Sequence, residues 1–321
     1  MKNKKVTVTG ANIVFLAFVL SYMLSQFILS VFMSILVFTG SIDSPVQFIK
    51  NNIYILTFVN EYFLILGPVL IYAFAKNIDF KYVFRFKSPG LLPTILIILM
   101  AVPAYFVALA LNSTVIYFLQ FIGRIPTQPI PVPRNIPELL AGLFFIAATP
   151  GICEEMLHRG LILRAYERRG TIKALVISSI FFGIFHFDIT NLLGPIFLGL
   201  LIGYYVIRTD SIFAGIIAHF LNNAFAELLQ FFLAQEVEAE YLSISGRDLL
   251  ATILYGMAGL IVLSILITIF KKVTNKRSTY KPPISSVRDD IISVISHWPI
   301  IIIILVYTVT AAFYLLTLAL V

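Results

Sequence analysis

Pro150-Gly-Ile-Cys-Glu-Glu-Met-Leu-His-Arg-Gly160 sets two adjacent glutamates, a histidine and an arginine within six residues of an otherwise apolar run, 138–158. A run of that length reads as a membrane-spanning helix, and ionisable groups inside such a helix are costly enough to mark a functional site. On a helix, residues four apart share a face, which aligns Glu155 with Arg159 and Glu154 with His158. Adjacent glutamates point about 100° apart. One carboxylate can therefore face a cavity while its neighbour pairs with Arg159. Pro150-Gly151 predicts a bend or restart of the helix just before them, widening that cavity.

The surroundings fix the fold class. Of 321 residues 60% are hydrophobic and only 12% charged, against about 25% charged in soluble domains. Apolar runs fall at 11–39, 53–75, 91–122, 138–158, 174–187, 192–207, 211–234, 249–270 and 299–321. They predict an all-α, polytopic transmembrane bundle of about 8–9 helices with an intramembrane cavity. Runs 174–187 and 192–207 are short; they are tilted, sunk among neighbours, or paired as a re-entrant hairpin. Run 11–39 is too long for a cleaved signal and reads as a retained membrane anchor. The expected division is 1–137 (N-terminal helices and a proline-rich loop), 138–234 (catalytic core) and 235–321 (C-terminal helices).

The net charge of +7 points to cytoplasmic loops and not to nucleic acid. Lys2, Lys4 and Lys5, the 76–87 loop with Lys81 and Arg85, the cluster Arg164, Arg168, Arg169 and Lys173, then Arg208 and the 271–281 loop all fall on one side. That places the N-terminus in the cytoplasm and the C-terminus outside the cell membrane. Between Arg124 and Pro137 five prolines (126, 129, 131, 133 and 137) exclude helix and read as an external linker. The 235–248 segment, with Glu236, Glu238 and Glu240, reads as a second external connection. Ser179 to Gly183 and Gly199 to Gly203 space small residues four apart, as close helix packing needs.

Three further polar residues lie in other apolar runs: His186, one turn after Phe182, then His219 and Asn223 on one face. At about 1.5 Å per residue Glu154 lies about 21 Å from Arg168, His186 about 20 Å from Lys173, and His219 about 14 Å from Asp210. All three fit the middle third of a hydrocarbon core about 30 Å thick. A buried glutamate is suited to act as a base, His186 to share its water or protonate a leaving amine, and His219 with Asn223 to donate to an oxyanion. The one cysteine, Cys153, sits beside the glutamates, but no conventional base other than them accompanies it as a nucleophile. His158 and His297 read as structural, and Glu61 as a partner in a polar contact. Glu227, Asp188 and Asn191 are candidates to line the same cavity.

These residues resemble the three motifs of the CPBP (Abi) family, the CAAX proteases and bacteriocin-processing enzymes also called type II CAAX prenyl endopeptidases. The motifs are Glu-Glu-x-x-x-Arg at Glu154, Glu155 and Arg159, Phe-x-x-x-His at Phe182 and His186, and His-x-x-x-Asn at His219 and Asn223. The match covers about 141–228. The resemblance implies an endopeptidase cutting a membrane-associated or lipidated peptide or protein. Glu154 and His186 would activate water, Glu155 and Arg159 would brace the site, and His219 and Asn223 would form the oxyanion hole. It also implies a cavity reached from the cytoplasmic side and laterally from lipid.

Metal-independent, glutamate-type hydrolysis is favoured, since there is no His-Glu-x-x-His run and asparagine is a poor zinc ligand. If a divalent metal such as zinc takes part, its ligands would be Glu154, His186 and His219. Two other functions stay open: a non-catalytic immunity or scaffolding protein of the same fold, and an ion or proton-coupled transporter using Glu61, Glu154 and Glu227. No long internal repeat supports the transporter.

Overall fold

Backbone N–H and C=O groups in hydrocarbon must be satisfied within their own segment, and this chain meets that demand with helices. The computed structural model describes residues 6–233 and 241–320, so Lys2, Lys4 and Lys5 and the acidic Glu236, Glu238 and Glu240 lie outside the described residues. In chain order the helices are α1 (Val8–Phe38), α2 (Pro45–Ala75), α3 (Leu91–Leu119), α4 (Ile136–Arg169), α5 (Thr171–Ile184), α6 (Leu193–Thr209), α7 (Ile212–Leu233), α8 (Gly246–Val273), α9 (Val287–Ile295) and α10 (Trp298–Leu320). All but α5, α6 and α9 are long and apolar enough to cross a membrane, and the chain is a polytopic helical bundle.

Two helices outrun their apolar stretches. Ser44 caps the N-terminus of α2 and Pro45 opens it, so the helix begins before its hydropathy does. At the other extreme, α4 continues past residue 158 to Arg169. Its late charges are paired within the fold: Arg159 with Glu155, Arg164 with Glu167. A fall in hydropathy therefore does not end the helix.

The short helices α5 and α6 pack against each other at glycines. A Cβ on Gly199 would lie 2.9 Å from Ser179 Cα, and one on Gly203 would lie 2.5 Å from a Leu175 methyl. Their shared tip meets the proline-rich loop, where Gln128 donates to Asp188 at 2.7 Å. That loop is more than a linker: Ile125–Pro126 pairs antiparallel with Tyr241–Leu242, and Gln120 donates to the Ile244 carbonyl at 2.9 Å.

The bundle has two apolar cores. One joins α1, α2, α4 and α5 around Phe15, Ile65, Leu157 and Phe181; the other joins α3, α6, α7 and α8 around Ile97, Ile202, Ala218 and Leu263. The run read as an anchor, α1, is thus part of the first core, and Asn12 ties it to Tyr166 at 2.9 Å and His297 at 3.0 Å.

The basic loops converge at one end of the bundle. There Glu167, fully buried, accepts from Arg85 and from Arg164 at 2.9 Å, with Lys281 at 3.7 Å. Arg85, 1% exposed, also reaches Asp210 at 3.1 Å, and Lys87 pairs with the same carboxylate. Arg208 donates to Thr274 at 3.0 Å and to the Lys271 carbonyl. Removing one partner of a buried ion pair leaves charge uncompensated, at about 3–5 kcal/mol. Glu167→Ala should therefore lower the melting temperature of the detergent-purified protein far more than Asp43→Ala, a substitution of an exposed aspartate.

Candidate active site

Helix α4 departs from regular geometry on both sides of the quoted stretch. π-Helical turns at Leu143–Ala148 and Met156–Ile162 flank the segment Thr149–Glu155, and such turns recur at functional sites. Pro150 has no N–H to give to the Ile146 carbonyl four residues back. The Asn223 side chain of α7 donates to that carbonyl instead, at 3.2 Å. The helix changes from π to α geometry at Thr149, beside Pro150-Gly151, and Gly151 lets α7 in. A Cβ there would lie 3.2 Å from the Phe220 nitrogen.

The two glutamates separate. Glu155 is fully buried and its Oε1 accepts from Arg159 Nη1 at 2.6 Å and from His219 Nδ1 at 3.1 Å. Arg159 also donates to the Gly199 carbonyl at 3.3 Å and lies 4.4 Å over the Phe182 ring. One carboxylate and one guanidinium thus tie α4 to α5, α6 and α7. Glu154 faces the other way, into a cavity of about 370 Å³. Its Oε2 is buried with no hydrogen-bond partner, 4.0 Å from His219 Nε2.

The histidines are oriented by what their first nitrogen meets. His186 Nδ1 lies 2.8 Å from the Phe182 carbonyl. A carbonyl only accepts, so Nδ1 carries the proton and Nε2 presents a lone pair. His219 gives its Nδ1 proton to Glu155, which turns Nε2 toward Glu154. Phe182 packs edge-on to both rings, with centroids 5.2 Å from His186 and 5.6 Å from His219.

The cavity brings together Glu154, His186, His219 and Asn223, with Glu155 and Arg159 behind its wall. Glu227 and Asn191 line it, whereas Asp188 is turned to Gln128 and Thr190. His158 is not on the face of Glu154: the second π-helical turn carries it into a box of Phe15, Phe182 and Phe185. Cys153 is buried in the first core and Glu61 accepts from Asn60, both outside the cavity lining. Of the three carboxylates of a transport path, Glu154 and Glu227 line the cavity and Glu61 does not.

Several lining residues were not anticipated, among them Asn112, Tyr105, Ile130 and Gln230. Asn112 of α3 was findable as a lone amide in an apolar run; it donates to Asn191 at 2.7 Å and accepts from the Gly194 N–H at 2.8 Å. Tyr105 and Ile130, the latter from the proline-rich loop, left no signal. From Glu154 the cavity lining runs toward the proline-rich loop, where Ile130 borders it. Glu154, His186 and His219 do not converge as a metal site. Among the described residues no three His, Cys, Asp or Glu side chains are placed to hold one ion.

Residues 136–225 match the family model described as type II CAAX prenyl endopeptidase Rce1-like. The chain is also 29% identical over 138 residues to a protein of Bacillus subtilis (strain 168) named "Putative membrane peptidase YdiL". That stretch is 41% of this chain and 56% of the relative, little more than half its length. No solved structure matches.

Gly215 of α7 makes the room that Glu155 occupies: a Cβ there would lie 2.6 Å from Glu155 Oε2. Because Arg159 and His219 hold that carboxylate, it cannot swing aside without losing a partner. Gly215→Ala should destabilise the protein by about 1–3 kcal/mol, the usual range for overpacking. It should also displace His219, read as a reduced rate of any reaction at the cavity.

Proposed function

With an Rce1-like domain at residues 136–225 as the premise, we propose that the chain is an intramembrane endopeptidase. It hydrolyses a peptide bond in a membrane-associated peptide or protein, using water activated at Glu154. The observation that carries this reading is the division of labour between neighbouring carboxylates. Glu155 Oε1 is taken by Arg159 and His219 and its unpartnered Oε2 lies against Gly215, behind the cavity wall, while Glu154 lines the cavity with its own Oε2 unpartnered, 4.0 Å from His219 Nε2. Two polar atoms at that separation leave room for one water oxygen within hydrogen-bond distance of both.

The water oxygen attacks the scissile carbonyl carbon and its proton passes to Glu154. The His186 Nε2 lone pair orients the same water. The carbonyl oxygen becomes an oxyanion, which accepts from His219 Nε2 when that nitrogen carries a proton. Asn223 spends one N–H on Ile146 and offers the other. Each such donor is worth about 10²–10³ in rate. Return of the proton from Glu154 to the amide nitrogen lets the C–N bond break, giving a carboxylate and an amine.

Hydrolysis in this scheme needs no metal. Glu154→Gln should reduce cleavage about 10²–10⁴-fold, the contribution of a positioned base. Comparison of membrane peptides from wild-type and Glu154→Gln cells should reveal one that accumulates uncut; an unchanged peptide profile would sink the proposal. Cleavage should survive exhaustive chelation of the purified protein, and full loss restored by zinc alone would overturn metal independence.

A further inference from the structure

The cavity sets polar groups among apolar ones along its length, and its lining extends toward one end of the bundle. Its floor is set by Glu154, Phe182 and His219. From that floor every wall extends in a single direction. On α7 the lining runs from His219 through Asn223 and Glu227 to Gln230, about 16 Å of helix at about 1.5 Å per residue. On α3 it ends at Asn112, and at the α5–α6 tip at Asn191. In the opposite direction α4 is solid: Leu157, Leu161 and Ile162 are fully buried. Beneath them the pairs of Glu167 and Asp210 with Arg85 close the bundle.

The sealed end is the one that carries the basic loops, as contacts among Arg85, Glu167, Arg208, Lys271 and Lys281 establish. Lysine and arginine are retained on the cytoplasmic side of membrane proteins. We infer that the cavity opens to the extracytoplasmic face and takes an extended peptide segment presented there, not a lipidated C-terminus in the cytoplasm. This deepens the peptidase reading and rests on it. The outer lining suits such a substrate. Asn222, whose Oδ1 has no partner, and Gln230 offer amide groups to an extended backbone, and Asn112 and Asn191 add the N–H groups not used in their mutual contact. Glu227 is 2% exposed, with Oε2 lacking any hydrogen-bond partner, and suits a substrate N–H or a basic side chain. An isoprenoid chain would leave these groups unsatisfied.

The test uses the full chain in sealed membrane vesicles of both orientations, with Cys153→Ala as background and a membrane-impermeant maleimide as probe. Ala226→Cys, on the outer cavity wall, should label in right-side-out vesicles; Lys276→Cys, at the basic end, should label only in inverted ones. Gln230→Cys, one turn farther out, repeats the measurement should Ala226→Cys fold poorly. Cavity labelling from the inverted side, or from neither side, overturns the inference. A second arm offers two reporters, one with its scissile segment outside and one with a prenylated C-terminus in the cytoplasm. Cleavage of the first, lost in Glu154→Gln, is expected, and cleavage of the second alone overturns the inference. Outward labelling with neither reporter cut would leave the opening where we place it and count against the peptidase reading instead.

Discussion

One oxygen atom, Oε1 of Glu155, accepts from Arg159 and from His219, and the arrangement of four helices hangs on it. A carboxylate so deep is tolerable only with its partners in place, since an unpaired buried charge costs several kcal/mol. The helices are therefore not free to slide. Arg159 must stay beneath Gly199 and over Phe182, and Gly215 must stay bare where Glu155 lies against it. The same constraint leaves Glu154 without a protein partner, because the neighbouring groups able to neutralise it are already engaged. One glutamate lines the cavity and its neighbour is held in the wall behind it.

Pro150 and Asn223 show a second economy of this kind. A proline in mid-helix orphans a carbonyl, and in hydrocarbon that carbonyl has to be met from elsewhere. Asn223 meets it and is thereby placed at the cavity with one N–H to spare. The π-helical turns on either side admit the aromatic box around His158 and keep that ring away from the glutamates.

What was legible beforehand follows from range. Glu155 with Arg159 is an i,i+4 pair and could be read directly from spacing, and the helical bundle could be read from hydropathy. The grouping of Glu154, His186 and His219 rested on three similar depths, which the convergence of α4, α5 and α7 turns into proximity. Helical phase was less legible: four-residue spacing put His158 beside Glu154, but a π-helical turn adds a residue and moves it. Ile130 and Tyr105 were hidden because nothing in an apolar or proline-rich stretch records where a neighbouring helix ends. The direction of the opening was hidden for a related reason. It depends on which half of the bundle is filled, and both halves are equally apolar in sequence.

Phe15 and Phe18 of α1 pack against His158, Phe181 and Phe185, and Ile97 and Met100 of α3 share a core with Ile202 and Ala218. The stretch that matches the Rce1-like family is thus enclosed by helices that precede it. Kinship and folding follow different borders in this chain. The matching segment carries Glu154, His186 and His219, but helices outside it supply part of the apolar core packed around them. Divergence in the flanking helices is then free to remodel the approach to the cavity while the motifs stay the same, a route by which one chemistry can be turned to different substrates.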